Sequence, residues 1–358
     1  MVNRTTYTKI LWPVCLALVL LASCKKDNSR NPFDPNAPKP TKPVARPGSL
    51  GIVGDSTDVK TSTAAGLVIM GGGTDVDAAI KWMIARSGGG NVVVLRATGT
   101  DAYNAYIKGL GTVKSVETLK IDSRKLADDA TVANIVRNAE MLFIAGGDQA
   151  DYVGYWKGTK VMAAINYLLN EKKVPVGGTS AGAAILGNYY FAADKGGLES
   201  ADALANPYNT RVSLGKDDFL KAAFMQNVIT DQHFSQRGRE GRAAVFLARI
   251  MKDWTKTPYG IAVDEKTAVC IDANGIAEVL GTNKAFFLKT DAAKQPEVIE
   301  SAKAVTWNQA GKAIQVAAIT ATATDNKFNM VTFEPHNTAA AAKYWWSVVN
   351  GTWAQAAL

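Results

Sequence analysis

Short apolar runs that end in glycine alternate with amphipathic stretches along the first two thirds of the chain, and this alternation restricts the possible folds most. A repeated strand and helix pattern predicts an α/β fold whose mainly parallel sheet has helices on both faces. The predicted elements are strands at 67–70, 92–97, 117–122, 141–145 and 174–176 and helices at 76–86, 130–139 and 161–170. A chain of 358 residues with 47% hydrophobic residues is large and apolar enough to bury the core of such a fold.

The pattern changes beyond about residue 260, where short β-like pieces are separated by turn residues. These pieces lie at 261–263, 268–271, 277–280, 285–288 and 330–333. They indicate either an extra antiparallel layer or a small C-terminal β domain. We therefore predict an α/β domain over 49–272 and a β-rich C-terminal extension over 273–358.

The N-terminus has the pattern of an export signal. Arg4 and Lys9 precede an apolar run at 10–22, which is short for a membrane span and typical of a signal peptide. The run ends in Leu-Ala-Ser-Cys at Cys24, which resembles a bacterial lipobox. This resemblance implies cleavage after residue 23, a lipid on Cys24, and a protein anchored to the bacterial cell envelope, in the periplasm or at the cell surface.

Residues 24–48 follow the predicted signal peptide and contain six prolines with almost no large apolar residue. Such a segment buries too little surface to offset its ordering entropy. It predicts a stiff tether between the lipid and the folded body.

Charge and cysteine usage exclude several functions. The formal net charge is +8, but the basic residues are spread along the chain and no nucleic-acid-binding motif is present, so we predict no nucleic-acid partner. Cys15, Cys24 and Cys270 show no C-x-x-C spacing, which argues against a metal or redox site. We expect no metal and no cofactor, and Cys270 alone leaves no internal disulfide in the mature chain.

The segment most informative about chemistry runs from a predicted strand through a glycine-flanked serine into small residues. Gly178-Thr179-Ser180-Ala181-Gly182 fits the G-x-S-x-G pattern, in which a serine at a strained strand-to-helix turn exposes its hydroxyl. The amide of Ala181 follows the serine directly and is a candidate donor to an oxyanion. Ser180 is therefore the predicted nucleophile.

A serine hydroxyl needs a general base near neutral pH, and the chain has two histidines. His336 lies in a turn-like Glu-Pro-His-Asn sequence near the C-terminus, whereas His233 follows a strand-like run at 227–230. Catalytic groups of α/β folds collect at strand ends. This position favours His233 as the base.

Three segments together resemble cyanophycinase and its relatives in the S51 family of serine peptidases. They are the serine turn around Ser180, Gly-Gly-Asp-Gln at 146–149, and Asp-Gln-His-Phe-Ser-Gln-Arg-Gly-Arg at 231–239. The resemblance implies a flavodoxin-like sheet related to class I glutamine amidotransferases, a Ser-His-acid triad, a homodimer in many members, and no metal. It also implies hydrolysis of β-linked aspartyl-arginine units from a chain end.

The same resemblance assigns roles to individual residues. It implies Ser180 as nucleophile, His233 as base, and the Ala181 amide with that of Gly147 or Asp148 as the oxyanion hole. The residues that match the family's substrate pocket are Gln149, Asp231, Gln232, Arg237, Arg239 and Arg242. Arginines suit a substrate carboxylate, and Asp231 with the glutamines suits a guanidinium.

The third member of the triad is an acid that the resemblance places in the loop after the serine helix. Alignment on the following Asn-Pro favours Asp202, simple distance from Ser180 favours Glu199, and Asp194 ranks third. Either of the first two carboxylates would orient the histidine and stabilise its charged form.

The sequence thus predicts a serine exopeptidase acting on β-linked aspartyl-arginine chains through an acyl-enzyme on Ser180. An aspartyl or isoaspartyl dipeptidase is an alternative with the same triad. A second alternative is a surface lipoprotein that binds peptides without cutting them, although a pure binder has no need of a strained nucleophile.

Overall fold

A computed structural model describes residues 45–336 and 341–358. The predicted signal peptide, Cys24 and most of the tether lie outside the described residues. In the described part, residues 45–358 group into one compact unit, and none of its helices has the length and apolarity needed to cross a bilayer.

Helices and strands alternate up to residue 179, and strands predominate after residue 255. The α-helices are α1 Asp77–Arg86, α2 Ala102–Leu110, α3 Arg124–Ala127, α4 Ala130–Asn138, α5 Gln149–Trp156, α6 Lys160–Tyr167, α7 Ala181–Ala184, α8 Ser200–Ala205 and α9 Glu240–Trp254. The first nine strands are β1 Ser49–Gly54, β2 Gly66–Met70, β3 Asn91–Arg96, β4 Ser115–Lys120, β5 Met141–Ile144, β6 Pro175–Thr179, β7 Tyr189–Phe191, β8 Leu214–Lys216 and β9 Val228–Gln232. The others are β10 Tyr259–Val263, β11 Thr267–Asp272, β12 Ile276–Gly281, β13 Lys284–Lys289, β14 Ile314–Thr320, β15 Lys327–Asn329, β16 Glu334–Pro335, β17 Ala341–Val349 and β18 Thr352–Ala357.

The first sheet has the order β1-β4-β3-β5-β6-β2-β11-β12-β15-β16 in the described residues. Its five central strands, β4-β3-β5-β6-β2, are parallel, and the strands on either side of them are antiparallel. Counted along the chain, the parallel strands follow the order 3-2-4-5-1, whereas the flavodoxin order is 2-1-3-4-5. The predicted mixed α/β fold is confirmed, and its flavodoxin-like form is not.

The second sheet has the order β18-β17-β14-β13-β10-β9-β7-β8 in the described residues. Its pairs are antiparallel except for β10-β9 and β9-β7. The β-rich C-terminal part contributes strands to both sheets, because β12 pairs with β11 in the first and β13 pairs with β10 in the second.

Three hydrophobic clusters lie on the faces of the two sheets. Along β2, Leu67 and Ile69 contribute to one cluster and Val68 and Met70 to another, as the two-residue repeat of a strand requires. The face of the first sheet that carries Val68 and Met70 packs against α1 and α2, and the second sheet packs against α9. Burial on both faces explains why β2, β3 and β5 are nearly continuous apolar runs.

Most predicted elements agree with the structure to within a few residues, and one is wrong. The predicted strand at 330–333 is a turn between β15 and β16. Asn329 Oδ1 accepts from the amides of Val331 and Thr332, at 2.9 and 3.1 Å, so this side chain replaces a strand partner.

Candidate active site

Ser180 lies between the end of β6 and the start of α7 and has φ 52° and ψ −118°. A residue with a side chain seldom adopts this backbone conformation, and such strain is typical of functional positions. The Ser180 amide donates to the Met70 carbonyl at 3.1 Å, which ties the turn to the end of β2. The side chain is half-buried, so a ligand can reach the hydroxyl.

Gly178 and Gly182 leave no room for a side chain on either side of this turn. A Cβ on Gly178 would lie 2.5 Å from the Gly182 carbonyl carbon, and a Cβ on Gly182 would lie 2.2 Å from the Ile144 carbonyl oxygen. The two glycines therefore let β6, α7 and β5 approach closely. This packing is the physical reason for the spacing around Ser180.

His233 follows β9 and contacts Ser180, the predicted nucleophile. Its Nε2 lies 2.7 Å from Ser180 Oγ, and its amide donates to the Gly71 carbonyl at 2.8 Å. Gly72 has φ +90° and packs against the ring, so a Cβ there would lie 2.4 Å from His233 Cε1. The sequence-predicted pair of Ser180 and His233 thus lies at hydrogen-bond distance.

Glu265 contacts the other ring nitrogen of His233. The distance from Glu265 Oε1 to His233 Nδ1 is 2.6 Å. The Glu265 backbone is held at both ends, because its amide donates to Gln236 Oε1 at 2.8 Å and its carbonyl accepts from Asn283 Nδ2 at 2.8 Å. Ser180, His233 and Glu265 therefore form a continuous chain of hydrogen bonds.

The structure corrects the predicted third residue. Asp202 is exposed and lies 3.5 Å from Arg211, Glu199 is exposed, and Asp194 is exposed and lies 3.6 Å from Lys195. Glu265 lies outside the loop after the serine helix, where the family resemblance places the acid. The sequence does contain one sign of this acid, because an Asp-Glu pair directly follows the strand-like run at 261–263. Since β9 and β10 are parallel neighbours, residues that follow β10 lie beside His233, which follows β9.

The candidate oxyanion donors lie beside the serine turn. Ala181 is the first residue of α7, so its amide has no acceptor within the helix. Gly146 approaches the nucleophile, and a Cβ on it would lie 3.5 Å from Ser180 Cβ. The Tyr152 hydroxyl donates to the Ala145 and Gly146 carbonyls, at 2.9 and 3.1 Å, and so holds the loop that leads to Gly147.

Asp231 and Arg242 form a buried ion pair behind His233. Arg242 Nε donates to Asp231 Oδ2 at 2.9 Å, Arg242 Nη2 donates to Asp231 Oδ1, and both residues are about 5% exposed. Arg242 Nη1 also donates to the Leu198 carbonyl at 3.1 Å. Because Arg242 holds both carboxylate oxygens, Asp231 does not fit the predicted role of accepting a substrate guanidinium.

The other predicted pocket residues differ in their exposure and contacts. Arg239 donates to the Gln232 carbonyl at 2.6 Å, and burial, opposed by Asp231, lowers the pKa of its guanidinium to about 10. Arg237 is exposed, and Gln149 is half-buried at the start of α5. Among the described residues, the Gln232 Nε2 amide is buried without a hydrogen-bond partner.

The environment of His233 lowers the pKa of its imidazole. Burial is the main cause, the charges of Arg237 and Arg239 act in the same direction, and Glu265 opposes them. A general base must be neutral, and a lower pKa keeps the imidazole neutral at lower pH. We therefore expect the acidic limb of the kcat/KM profile to have its midpoint at a pH below about 6.5, the ordinary pKa of histidine.

Measurement of kcat/KM from pH 4 to pH 8 checks this expectation. Arg237→Gln removes one of the charges that lower the His233 pKa, so the limb should move to higher pH. The matched control is Lys60→Gln, which removes an exposed cation elsewhere and should leave the limb in place. A limb that stays fixed in Arg237→Gln would contradict the assignment.

The buried ion pair also has a consequence for stability. Asp231→Asn keeps the size of the side chain and leaves the buried Arg242 guanidinium without its charge partner. We expect a loss of about 3–5 kcal/mol in the free energy of unfolding. Glu300→Gln, in the exposed Glu300–Lys303 pair at 2.6 Å, should cost under about 1 kcal/mol. Urea denaturation of both variants gives the comparison, and equal losses would contradict it.

Two further groups of reactive side chains can be assessed in the described residues, possible metal ligands and the thiol of Cys270. Within 45–336 and 341–358, no group of three or more His, Cys, Asp and Glu side chains is arranged to hold a metal ion. Cys270 is buried in β11, and burial raises the pKa of its thiol. The thiol therefore stays protonated and is not a nucleophile.

Comparison with known proteins identifies relatives over the part of the chain that carries this site. A cyanophycinase from Geminocystis herdmanii is 28% identical over 183 residues, covering 51% of this chain and 60% of the relative. A cyanophycinase from Trichormus variabilis is 29% identical over 179 residues, covering 50% of this chain and 54% of the relative. The chain thus spans between half and two thirds of the length of these curated relatives.

Solved structures and a family model complete the comparison. A crystal structure of a peptidase from an acI-B1 actinobacterium aligns with 63% of this chain and 91% of its own, at 17% identity and a TM-score of 0.45. The model of peptidase family S51 matches residues 67–279, which include Ser180, His233 and Glu265. The chain therefore belongs to peptidase family S51, a family of serine-type peptidases.

Proposed function

We propose that this protein is a serine exopeptidase that releases β-linked aspartyl-arginine units from the end of a chain. The observation that carries the proposal is the line of contacts from Ser180 Oγ to His233 Nε2 at 2.7 Å and from His233 Nδ1 to Glu265 at 2.6 Å. The strained backbone of Ser180 supports it, because a protein that only binds peptides gains nothing from this conformation.

The first half of the reaction forms an acyl-enzyme. His233 takes the proton from Ser180 Oγ as the oxygen attacks the carbonyl carbon of the scissile bond. The amides of Ala181 and Gly147 stabilise the negative charge that develops on the carbonyl oxygen. His233 then gives the proton to the leaving amine, and the carbon–nitrogen bond breaks.

The second half releases the acyl group by hydrolysis. Water loses a proton to His233 as it attacks the ester on Ser180, and the proton returns to the serine oxygen when the ester bond breaks. Glu265 holds Nδ1 protonated throughout, so Nε2 remains the atom that accepts protons. The enzyme is then ready for the next substrate.

Charge and an unpaired donor support recognition of an aspartyl carboxylate near the nucleophile. Arg237 is exposed and has no ion-pair partner among the described residues, and its positive charge acts on both His233 and Arg239. Arginine binds carboxylates through paired hydrogen bonds. Gln232, next in sequence to His233, adds a buried amide donor that has no acceptor in the part of the chain that the structure describes.

The relatives named cyanophycinase support cyanophycin as the polymer, and the test compares it with small substrates. We expect the protein to release soluble aspartyl-arginine from insoluble cyanophycin, and Ser180→Ala to release none. Hydrolysis of free aspartyl dipeptides with no release from the polymer would favour the dipeptidase instead. No Ser180-dependent cleavage of either substrate would refute the proposed function and favour a peptide-binding lipoprotein.

We propose that the protein is exported and anchored to the cell envelope by a lipid on Cys24. The Leu-Ala-Ser-Cys sequence after the apolar run supports this proposal. In bacteria that express the full chain, Cys24→Ala should move the protein from the membrane fraction to the soluble fraction. A Cys15→Ala control should leave it with the membranes, and an unchanged distribution for Cys24→Ala would contradict the anchor.

A further inference from the structure

A cavity of about 380 Å³ opens between the segment after β2 and the start of α2. Two carboxylates, Asp75 and Asp77, and two phenol rings, Tyr103 and Tyr106, line it. None of these residues belongs to the triad or to the group of arginines after His233, which are Arg237, Arg239 and Arg242. The cavity therefore needs its own explanation.

The cavity begins next to the catalytic contacts. Gly72 packs so tightly on the triad that a Cβ there would lie 2.4 Å from His233 Cε1 and 3.0 Å from Ser180 Cβ. Gly73, the next residue, lines the cavity, and a Cβ on it would lie 3.0 Å from Glu265 Oε2. Gly72 thus contacts the triad, and Gly73, its neighbour in the chain, would contact a group bound in the cavity.

The lining has the chemistry of a site for an organic cation. The Tyr103 hydroxyl donates to Asp75 Oδ2 at 2.6 Å, and the Tyr106 hydroxyl donates to Asp77 Oδ1 at 2.7 Å. Each bond uses one oxygen of a carboxylate and leaves the other for a ligand. Burial raises the pKa of both phenols, so they remain donors, and their rings offer faces to a cation.

Within residues 45–336 and 341–358, the Arg96 guanidinium lies near the cavity and does not cancel the charge of its carboxylates. The Arg96 guanidinium carbon is 5.8 Å from the centre of the Tyr103 ring. Its side chain donates to the carbonyls of Thr98 and Thr100, so backbone oxygens hold it in place. The two carboxylates that line the cavity therefore outnumber this guanidinium.

Asp231 is already paired with Arg242, so a substrate guanidinium needs another acceptor, and the cavity offers one. Asp231 is the carboxylate nearest to His233 in sequence, and the buried Arg242 occupies both of its oxygens. We propose that the cavity binds the guanidinium of the substrate, with Asp75 and Asp77 as the acceptors. This inference rests on the proposed function, because it concerns the same hydrolytic site. The arginines beside His233 then bind the carboxylate, and the two charges of an aspartyl-arginine unit are recognised separately.

Binding to the inactive Ser180→Ala protein tests the proposal without depending on turnover. The two probes are aspartyl-arginine and aspartyl-citrulline, which have similar shape and differ in the charge of the side chain. Calorimetry should show tighter binding of the arginine dipeptide. Adding Asp75→Asn and Asp77→Asn should weaken that binding by about tenfold and leave the citrulline dipeptide unaffected, since bonds to a charged group are lost.

Two further variants separate binding in the cavity from effects on folding or overall charge. Asp101→Asn removes the same charge one residue before Ala102 without changing the lining, and should leave both affinities unchanged. Ala102→Lys places an amine at the cavity wall and should weaken only the arginine dipeptide. Equal binding of the two dipeptides, or an arginine preference that survives both the paired Asn variant and Ala102→Lys, would overturn the proposal. Ser180-dependent hydrolysis by the unaltered protein, measured in parallel, decides the proposed function separately.

Discussion

Ser180→Ala is expected to lower kcat on an aspartyl peptide by about 10⁴- to 10⁶-fold. The reason is that Ser180 Oγ is the atom placed 2.7 Å from His233 Nε2 and is the proposed site of the acyl-enzyme. Without it, only oxyanion stabilisation and substrate binding remain. Initial rates at saturating substrate give kcat directly.

The control for this variant is the covalent chemistry of the serine itself. A serine-directed fluorophosphonate should add one label to the unaltered protein and none to Ser180→Ala, as read by intact mass. The substitution removes one oxygen at an unchanged backbone position, so the urea midpoint should stay close to that of the parent. Turnover within tenfold of the parent would show that another residue is the nucleophile.

Glu265→Gln is expected to lower kcat by about 10³- to 10⁴-fold with the fold retained. The substitution keeps the size of the side chain but removes the charge that orients His233 and stabilises its protonated form. Glu265 also raises the pKa of His233, against the effect of burial. Without its charge, the acidic limb of the kcat/KM profile should move to lower pH. This shift in pH is a readout that a purely structural role would not produce.

Asp202→Asn and Glu199→Gln provide the matched comparison. Both side chains are exposed, and Asp202 lies beside Arg211, so both variants should retain activity close to that of the parent. A loss of several hundredfold in Asp202→Asn, together with an active Glu265→Gln, would return the third position of the triad to Asp202.

There is a physical reason why the sequence predicts Ser180 but not Glu265. The turn around Ser180 is local, because its glycines, strand and helix lie within a few residues of one another. A short sequence pattern therefore predicts it. Glu265 lies 32 residues beyond His233 and reaches it because β9 and β10 pair in parallel, with Gln232 opposite Val263. Such pairing depends on the whole sheet, and no local pattern encodes it.

The pairing of Asp231 with Arg242 was beyond the reach of sequence for a related reason. The two residues lie on β9 and α9, and only the packing of that helix on the second sheet brings them together. The family resemblance places both residues in the substrate pocket and gives no sign that they pair with each other. Burial turns them into partners, because two opposite charges taken out of water must neutralise each other.

The β-rich part of the chain holds Glu265, the proposed acid of the triad, in its place beside His233. The turn between β12 and β13 bonds to this segment at three places, where Asn283 Nδ2 donates to the Glu265 carbonyl at 2.8 Å, the Thr282 amide to the Lys266 carbonyl at 3.0 Å, and the Asp264 amide to the Lys284 carbonyl at 3.0 Å. Residues 282–284 lie past the end of the family match at 279. The match boundary is therefore not a place where the enzyme can be cut. We expect a nick in this turn to loosen Glu265 from the His233 imidazole and to slow turnover, while the turn around Ser180 stays intact.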